Sequence, residues 1–171
     1  MNDNQRSATI LKLAKQLTRL KAFMATAESC TGGGIAQALT AVPGSSAWFD
    51  SGFVTYSNQS KSRLLDVPAE VIAEHGAVSE AVVRAMVAGA VTNSEASFAV
   101  AVSGVAGPGG GSPEKPVGTV WIAWGGYSDD GDDIQAESFL FDGNREAVRE
   151  QTIDTALSRL LNFLNNRFRP F

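Results

Sequence analysis

The sequence is short of the residues that most often hold metals and disulfides. Its 171 residues include one cysteine, Cys30, and one histidine, His75. A single cysteine excludes a disulfide within the chain, and the paired Cys and His spacings of zinc sites are missing. Carboxylates are the remaining metal ligands, and they suit Mg²⁺ better than Zn²⁺. We therefore expect no metal and no cofactor.

Long apolar runs and an excess of positive charge are also missing. The longest apolar stretches, such as residues 98–102, fall far short of the roughly 18 residues that a membrane span requires. The first residues show neither the basic region nor the apolar run of a signal peptide. A net charge of −4 and a pI near 5.0 argue against a nucleic-acid surface. We expect a cytoplasmic protein that binds neither nucleic acid nor membranes.

The apolar pattern predicts a single α/β domain over residues 1–171. Strands are expected at residues 22–27, 48–56, 97–103, 117–124 and 134–141. Helices are expected over residues 9–20, from 35, over 61–65, briefly after 68, over 80–91 and from 144. The acidic segment 129–133 is expected to be a solvated hairpin tip. This order indicates a three-layer α/β/α sandwich with a mixed, mainly parallel sheet of about five strands.

The segment 27–36 combines two nucleophile-capable residues, Ser29 and Cys30, with a triple glycine that opens a helix. Backbone N–H groups at a helix start lack intrahelical partners, so they can hold a phosphate or an oxyanion, although a plain helix cap has the same appearance. Neighbouring strand residues face opposite ways, so only one nucleophile is expected to face a cleft, and the sequence leaves open which. Glu28 is either an acceptor for a ligand or a cap of this helix.

A serine nucleophile needs a base, and two residues are candidates. His75 lies at a predicted helix end, where a capping or surface role is expected. Lys61 lies in the first turn of a short helix that follows Tyr56. Burial disfavours the charged form of lysine and lowers its pKa, which makes it a usable base. A solvated surface charge is the alternative for Lys61.

Two further segments could contribute to a site. Ser103 opens a loop rich in glycine and proline, which either supplies backbone donors or only connects two strands. Arg145, at the start of the last helix, suits either a phosphate or an exposed salt bridge. The Ser29 turn, residues 56–61 and residues 103–108 each follow a predicted strand. If these strands are parallel, the three segments meet at one edge of the sheet.

Two features fit self-association. Trp48, Phe49 and Trp124 predict either an aromatic contact surface or ordinary core packing, and the small residues of the helix at 81–90 permit close approach. Because two-fold homo-oligomers are the commonest assemblies, we expect a homodimer.

Several motifs, taken together and in this order, resemble the CinA C-terminal domain family. They are TAESCTGG at 26–33, GSSAWF at 44–49, GFVTYSN at 52–58, Lys61, HGAVS at 75–79, SGVAGP at 103–108 and KPVGTVW at 115–121. Each motif alone is weak, and their combination carries the specificity. The likeness runs from about residue 8 to 165.

The resemblance implies an amidohydrolase that converts nicotinamide mononucleotide to nicotinic acid mononucleotide and ammonia without a metal. It implies the short form of the family, without the N-terminal domain of longer members. Ser29 would be the nucleophile, Lys61 the base, and Tyr56 a positioning or relay group. Backbone N–H groups of residues 31–33 would hold the oxyanion. The substrate-binding residues implied are Glu28, Thr31, Gly32, Gly33, Ser103, Gly104 and Arg145.

Other function classes remain open. A non-catalytic nucleotide-binding module, linked to competence or to the DNA-damage response, would use the same glycine-rich turns to hold a phosphate. Hydrolysis of a different amide or ester on the same scaffold is a third possibility. Ammonia release from nicotinamide mononucleotide by the purified protein separates the first hypothesis from the other two.

Overall fold

The computed structural model describes residues 1–128 and 131–169. Its strands are β1 (Met24–Glu28), β2 (Phe49–Val54), β3 (Phe98–Gly104), β4 (Thr119–Ser128) and β5 (Gly131–Leu140). Its helices are α1 (Asp3–Leu20), α2 (Gly34–Thr40), α3 (Asn58–Leu65), α4 (Ala69–His75), α5 (Glu80–Thr92) and α6 (Arg145–Arg167). Asp129 and Asp130 of the expected hairpin tip lie outside the described residues.

The five strands form one mixed sheet in the order β2-β1-β3-β4-β5. β1 lies between β2 and β3 and runs parallel to both. β4 pairs antiparallel with β3 and with β5. Four strands therefore share one direction and β4 runs against them, which confirms the mixed, mainly parallel sheet.

Helices cover both faces of the sheet, as expected for a three-layer sandwich. α1, α2 and α6 bury one core with fully buried side chains such as Leu13, Ile35 and Leu157. α3, α4 and α5 bury the other core against small strand residues such as Ala25 and Ala99. Small side chains on that face let the second helical layer lie close to the strands.

Helix α1 begins earlier than predicted, at Asp3 and not at residue 9. Asn2 accepts a hydrogen bond from the Gln5 backbone, and the Gln5 side chain accepts one from the Asn2 N–H, which forms a capping box. The first turns carry mainly polar residues, so the apolar spacing that marks a helix is missing there. The start of α1 is set by its cap and not by hydrophobic periodicity.

The aromatic residues considered for self-association belong to the core. Trp48 and Trp124 are 3% and 5% exposed, and Phe49 packs partly buried against the same core. Of the two alternatives, the structure supports ordinary core packing, because these rings belong to the core that α1, α2 and α6 cover. In α5, the small residue Gly89 is needed because a Cβ there would lie 1.8 Å from the Leu65 carbonyl oxygen. The homodimer stays a prediction that neither feature supports.

Candidate active site

The carboxyl ends of β1, β2 and β3 place the three candidate segments at one edge of the sheet. Because these strands are parallel, residues that follow them emerge on the same side. The Ser29 N–H donates to the Val102 carbonyl (3.1 Å), so the turn after β1 stays fastened to β3. The Thr55 N–H donates to the Glu28 carbonyl (2.8 Å) and fastens the end of β2 to β1. The predicted convergence is confirmed.

Ser29 and Lys61 meet at this edge. Ser57 caps α3 by accepting from the Ser60 N–H (3.1 Å), which sets the helix that carries Lys61. The Lys61 Nζ lies 3.1 Å from the Ser29 Oγ and donates to the Thr55 carbonyl at 2.9 Å. The Tyr56 carbonyl is a third, longer contact at 3.4 Å. These contacts form a serine–lysine pair with the lysine amine held in a fixed place.

The Lys61 amine is buried without a compensating charge. Its side chain is 1% exposed, and it has no ion-pair partner in the part of the chain that the structure describes. Desolvation by burial lowers the pKa of Lys61 below its ordinary value of 10.5. The surroundings accept either form, because an ammonium can donate to all three oxygens and a neutral amine can accept from the Ser29 hydroxyl.

Cys30 faces away from this pair. It is 5% exposed and belongs to the apolar core beneath α1, α2 and α6. Burial raises the pKa of the Cys30 thiol to about 11, so the thiolate does not form near neutral pH. Of the two adjacent nucleophiles, the fold brings Ser29 to the lysine.

Glu28 caps α2 from inside the protein. Its carboxylate accepts from the Thr31 hydroxyl (2.7 Å) and from the backbone N–H groups of Ile35 (2.8 Å) and Ala36 (3.0 Å). Glu28 is 0% exposed, so of its two candidate roles the structure supports the cap. Two N–H groups of the first turn of α2, where an anion was expected, are therefore occupied by a protein carboxylate.

The turn between β1 and α2 contains N–H groups that the Glu28 carboxylate does not contact. The Gly32 N–H donates to the Ser29 carbonyl (3.0 Å) and the Gly34 N–H donates to the Thr31 carbonyl (3.0 Å). Within residues 1–128 and 131–169, the N–H groups of Thr31 and Gly33 have no hydrogen-bond partner. Gly32 and Gly33 adopt φ values of +60° and +98°, so the turn needs glycine at both positions.

Tyr56 and Arg145 form a second polar group beside the pair. The Tyr56 side chain is exposed, and its hydroxyl accepts from Arg145 Nη2 (3.0 Å). Arg145 Nη1 donates to the Gly107 carbonyl (2.9 Å). The phenol is thus placed on Arg145, and Tyr56 reaches Lys61 only through its carbonyl. The salt bridge considered for Arg145 does not occur within the described ranges.

The end of β3 lies next to the Ser29 turn. Val102 pairs with Glu28 across the sheet, and the next residue on each strand is a serine, Ser103 and Ser29. Ser103 is 1% exposed. Gly104 is needed for packing, because a Cβ there would lie 2.6 Å from a Val120 methyl group.

His75 takes no part in the serine–lysine contacts. It ends α4 with an exposed side chain, as expected for a helix end, and lies 3.8 Å from the Glu74 carboxylate. Its carbonyl accepts from Lys115 Nζ (3.0 Å), which ties the loop between β3 and β4 to this helix end.

Sequence reasoning missed two contributors. The Thr55 carbonyl holds the lysine amine, and no sequence signal reveals a backbone acceptor. Arg149 donates to the carbonyls of Cys30 (3.2 Å) and Thr31 (3.1 Å). Its spacing of four residues from Arg145 on α6 puts both arginines on one helix face, and that spacing was the available signal.

A cavity of about 1080 Å³ lies between α1, α2 and α6. Arg145 and Arg149 line it, whereas Ser29 and Lys61 do not. The candidate site therefore rests on the contacts of the pair and not on cavity size. Across residues 1–128 and 131–169, no group of three or more His, Cys, Asp or Glu could hold a metal ion. No helix in those ranges is long and apolar enough to cross a bilayer.

Comparison with known proteins identifies the family. The CinA C-terminal domain model matches residues 7–164. The nicotinamide-nucleotide amidohydrolase PncC of Pseudomonas putida is 61% identical over 150 residues, 88% of this chain and 91% of the relative. The protein of that name from Escherichia coli K12 is 46% identical over 167 residues, which are 97% of this chain and 99% of the relative. The crystal structure of competence/damage inducible protein CihA from Agrobacterium tumefaciens superimposes with a TM-score of 0.88 at 43% identity. The superposition covers 96% of this chain and 97% of that one. The chain belongs to the CinA C-terminal domain family.

Proposed function

We propose that this protein is an amidohydrolase that deamidates nicotinamide mononucleotide to nicotinic acid mononucleotide and ammonia. The observation that carries the proposal is the 3.1 Å contact between Ser29 Oγ and Lys61 Nζ. A buried amine of lowered pKa beside a hydroxyl is the arrangement that activates a serine. Two relatives at 61% and 46% identity bear the name nicotinamide-nucleotide amidohydrolase, which supports this substrate.

In the first step, the neutral Lys61 amine accepts the Ser29 hydroxyl proton while Oγ forms a bond to the carboxamide carbon. The carbonyl π electrons move to oxygen and give a tetrahedral oxyanion. Lys61, now an ammonium, keeps its hydrogen bond to the Thr55 carbonyl (2.9 Å). Collapse of the intermediate breaks the C–N bond, and Lys61 returns its proton to the leaving nitrogen, which departs as ammonia.

In the second step, water hydrolyses the ester that links the nicotinoyl group to Ser29. Lys61 is neutral again and accepts a proton from the attacking water. Collapse breaks the bond between the acyl carbon and Oγ, and Lys61 returns the proton to Ser29. One amine serves as base and acid in both steps because its surroundings accept either protonation state.

The oxyanion lies against the N–H groups of Thr31 and Gly33 in this proposal. The expected set was residues 31–33, and the proposal leaves out Gly32 because its N–H donates to the Ser29 carbonyl. Donors that are fixed before the reaction begins need no rearrangement as charge develops.

Arg145 binds the phosphate in this proposal. Its guanidinium is oriented by the Gly107 carbonyl and the Tyr56 hydroxyl and has no carboxylate partner within the described ranges. A planar guanidinium matches phosphate oxygens well. Because the Tyr56 carbonyl contacts Lys61 and its phenol contacts Arg145, this residue spans the distance from the reacting amide towards the phosphate. Ser103 and Gly104 remain predicted contacts at the end of β3.

Replacing Ser29 with alanine tests the proposal. We expect ammonia release from nicotinamide mononucleotide to fall by at least about 10⁴-fold, since the nucleophile is lost. The nucleotide should still bind, which isothermal titration calorimetry would show. Turnover within tenfold of the unmodified protein would exclude a serine mechanism. Binding without ammonia release by the unmodified protein would favour the nucleotide-binding module instead.

The expected homodimer and cytoplasmic location remain predictions. Gel filtration with light scattering checks the homodimer.

A further inference from the structure

We propose that Arg149 is a positioning residue for the Thr31 N–H, one of the two proposed oxyanion donors in the turn after Ser29. The inference rests on the proposed serine mechanism. Arg149 lies in the second turn of α6, the helix that covers the face of the sheet opposite α3, and it also lines the cavity between α1, α2 and α6.

The Arg149 guanidinium donates hydrogen bonds to two consecutive backbone carbonyls. Arg149 Nε donates to the Cys30 carbonyl (3.2 Å), and Nη2 donates to the Thr31 carbonyl (3.1 Å). An ideal Cβ on Gly32 would lie 3.5 Å from Nη2, so the guanidinium packs directly against the turn. The fixed fork of an arginine is suited to holding two neighbouring acceptors at once.

These two contacts fix the direction of two N–H groups. The Cys30 carbonyl shares a peptide plane with the Thr31 N–H, and the Thr31 carbonyl shares one with the Gly32 N–H. Carbonyl and N–H point in opposite directions across a trans peptide. Because both carbonyls face Arg149, both N–H groups point away from it. The Gly32 N–H closes the turn on the Ser29 carbonyl, and the Thr31 N–H has no partner in the described ranges.

The charge of Arg149 also strengthens the Thr31 N–H as a donor. A cation bonded to a carbonyl polarises the whole peptide, which makes its N–H a better donor. The gain is largest when negative charge develops on the N–H side, as it does in the tetrahedral intermediate. Arg145 is not a substitute, because its guanidinium is directed to the Gly107 carbonyl and the Tyr56 hydroxyl.

A set of α6 variants tests the inference. Arg149→Met keeps most of the aliphatic stem and removes the charge and both donors, whereas Arg149→Lys keeps the charge and can hold only one carbonyl at a time. Arg159→Met is the matched control, because Arg159 lies on the same helix but pairs with Glu137 (2.7 Å) and lies over the rings of Trp124 and Phe139.

We expect Arg149→Met to lower kcat by about 10- to 100-fold, less than the loss of a donor itself, because the Thr31 N–H remains but is misdirected and the Gly33 N–H is unaffected. KM should change by less than about threefold, since the ground state gains little from these donors. Arg149→Lys should fall between Arg149→Met and the unmodified protein, and Arg159→Met should match the unmodified protein. If Arg149 only stabilised the fold, Arg149→Met would lower the melting temperature and leave kcat of the folded protein unchanged. That result would overturn the inference.

The ¹H–¹⁵N resonances of Thr31 and Gly32 give a readout that needs no turnover. They should shift in Arg149→Met and stay in place in Arg159→Met, because the variant frees both peptide planes. Unchanged resonances would overturn the inference even if kcat fell. If the unmodified protein released no ammonia, the proposed function would fail, and the resonances alone would then decide whether Arg149 orients the turn.

Discussion

At the end of β1, one face of the sheet buries the Glu28 carboxylate and the other buries the Lys61 amine, and their polar surroundings differ. On one face, the Glu28 carboxylate accepts three hydrogen bonds, from Thr31, Ile35 and Ala36. On the other, the Lys61 amine contacts two carbonyls and one hydroxyl, without a carboxylate among the described residues. A compensated charge can stay ionised and hold structure, whereas an uncompensated one is driven towards its neutral form. A general base must be neutral to accept a proton, so the uncompensated Lys61 amine is the one suited to this role.

Replacing Lys61 with methionine gives the largest expected effect. Ammonia release should fall by about 10⁴-fold, because the base and acid are both lost. The free energy of unfolding should stay equal or increase, since an apolar chain replaces an uncompensated buried amine. Ammonia assays and urea unfolding measure the two quantities. Lys12→Met, at an exposed position on α1, should leave both unchanged. A large loss of stability in the Lys61 variant would mean that this face, too, buries its charge for structure.

Replacing Glu28 with glutamine probes the opposite face. The new amide group would point N–H donors at backbone N–H donors, so we expect the free energy of unfolding to fall by about 3 kcal/mol. Turnover per folded molecule should fall less than about tenfold, because Glu28 faces α2 and not the lysine. Urea unfolding and ammonia assays again serve as measurements.

Glu114→Gln is the control for this variant, since Glu114 is exposed in the loop before β4. Its free energy of unfolding should stay within about 0.5 kcal/mol of the unmodified protein. Unchanged stability together with lost activity in Glu28→Gln would reverse the comparison and assign Glu28 to the chemistry.

The pH dependence of turnover sharpens the same comparison. Only the neutral amine of Lys61 can accept the Ser29 proton, so kcat/KM should rise about tenfold per pH unit below the pKa of Lys61 and level off above it. Burial lowers that pKa from 10.5, so the plateau should begin below pH 10.5. A profile that falls with rising pH across this range would contradict a lysine base.

The pKa shift of Lys61 should make the free energy of unfolding depend on pH. Between the lowered pKa of Lys61 in the folded protein and 10.5 in the unfolded chain, the unfolded chain binds one more proton, so the free energy of unfolding rises with pH. The Cys30 thiol acts in the opposite direction, because burial raises its pKa from 9.0 to about 11. Urea unfolding in the Cys30→Ala background removes the thiol contribution, and adding Lys61→Met to that background should flatten the remaining rise with pH.

The sequence predicted the scaffold better than the side-chain geometry. Apolar spacing located all five strands, and the segments after β1, β2 and β3 were expected at one edge because parallel strands end together. The start of α1 was missed because the Asn2 cap, and not apolar spacing, sets it. Which of Ser29 and Cys30 faces the lysine depends on which face of β1 packs against α3, and periodicity does not contain that information.

The partners of polar groups were the least predictable part of the site. Glu28 had two candidate roles, and only the fold shows that its carboxylate reaches across the turn to Ile35. The resemblance implied a positioning or relay role for Tyr56, and only the fold shows that its phenol accepts a hydrogen bond from Arg145. Such contacts depend on long side chains and on backbone atoms of distant segments, which residue types and spacing do not specify.

Replacing Cys30 with alanine gives the smallest expected effect. Turnover should stay within about threefold, because the thiol faces the apolar core and its raised pKa keeps it protonated. The free energy of unfolding should fall by about 1 kcal/mol, as expected for removing one buried sulfur atom. Ammonia assays and urea unfolding measure both. Ser29 and Cys30 are neighbours directly after β1, and their side chains lie on opposite faces of the sheet. Comparing this variant with Ser29→Ala therefore shows which face carries the nucleophile. If Cys30→Ala lost turnover as Lys61→Met does, the thiol would replace the serine as nucleophile, and the two faces would exchange roles.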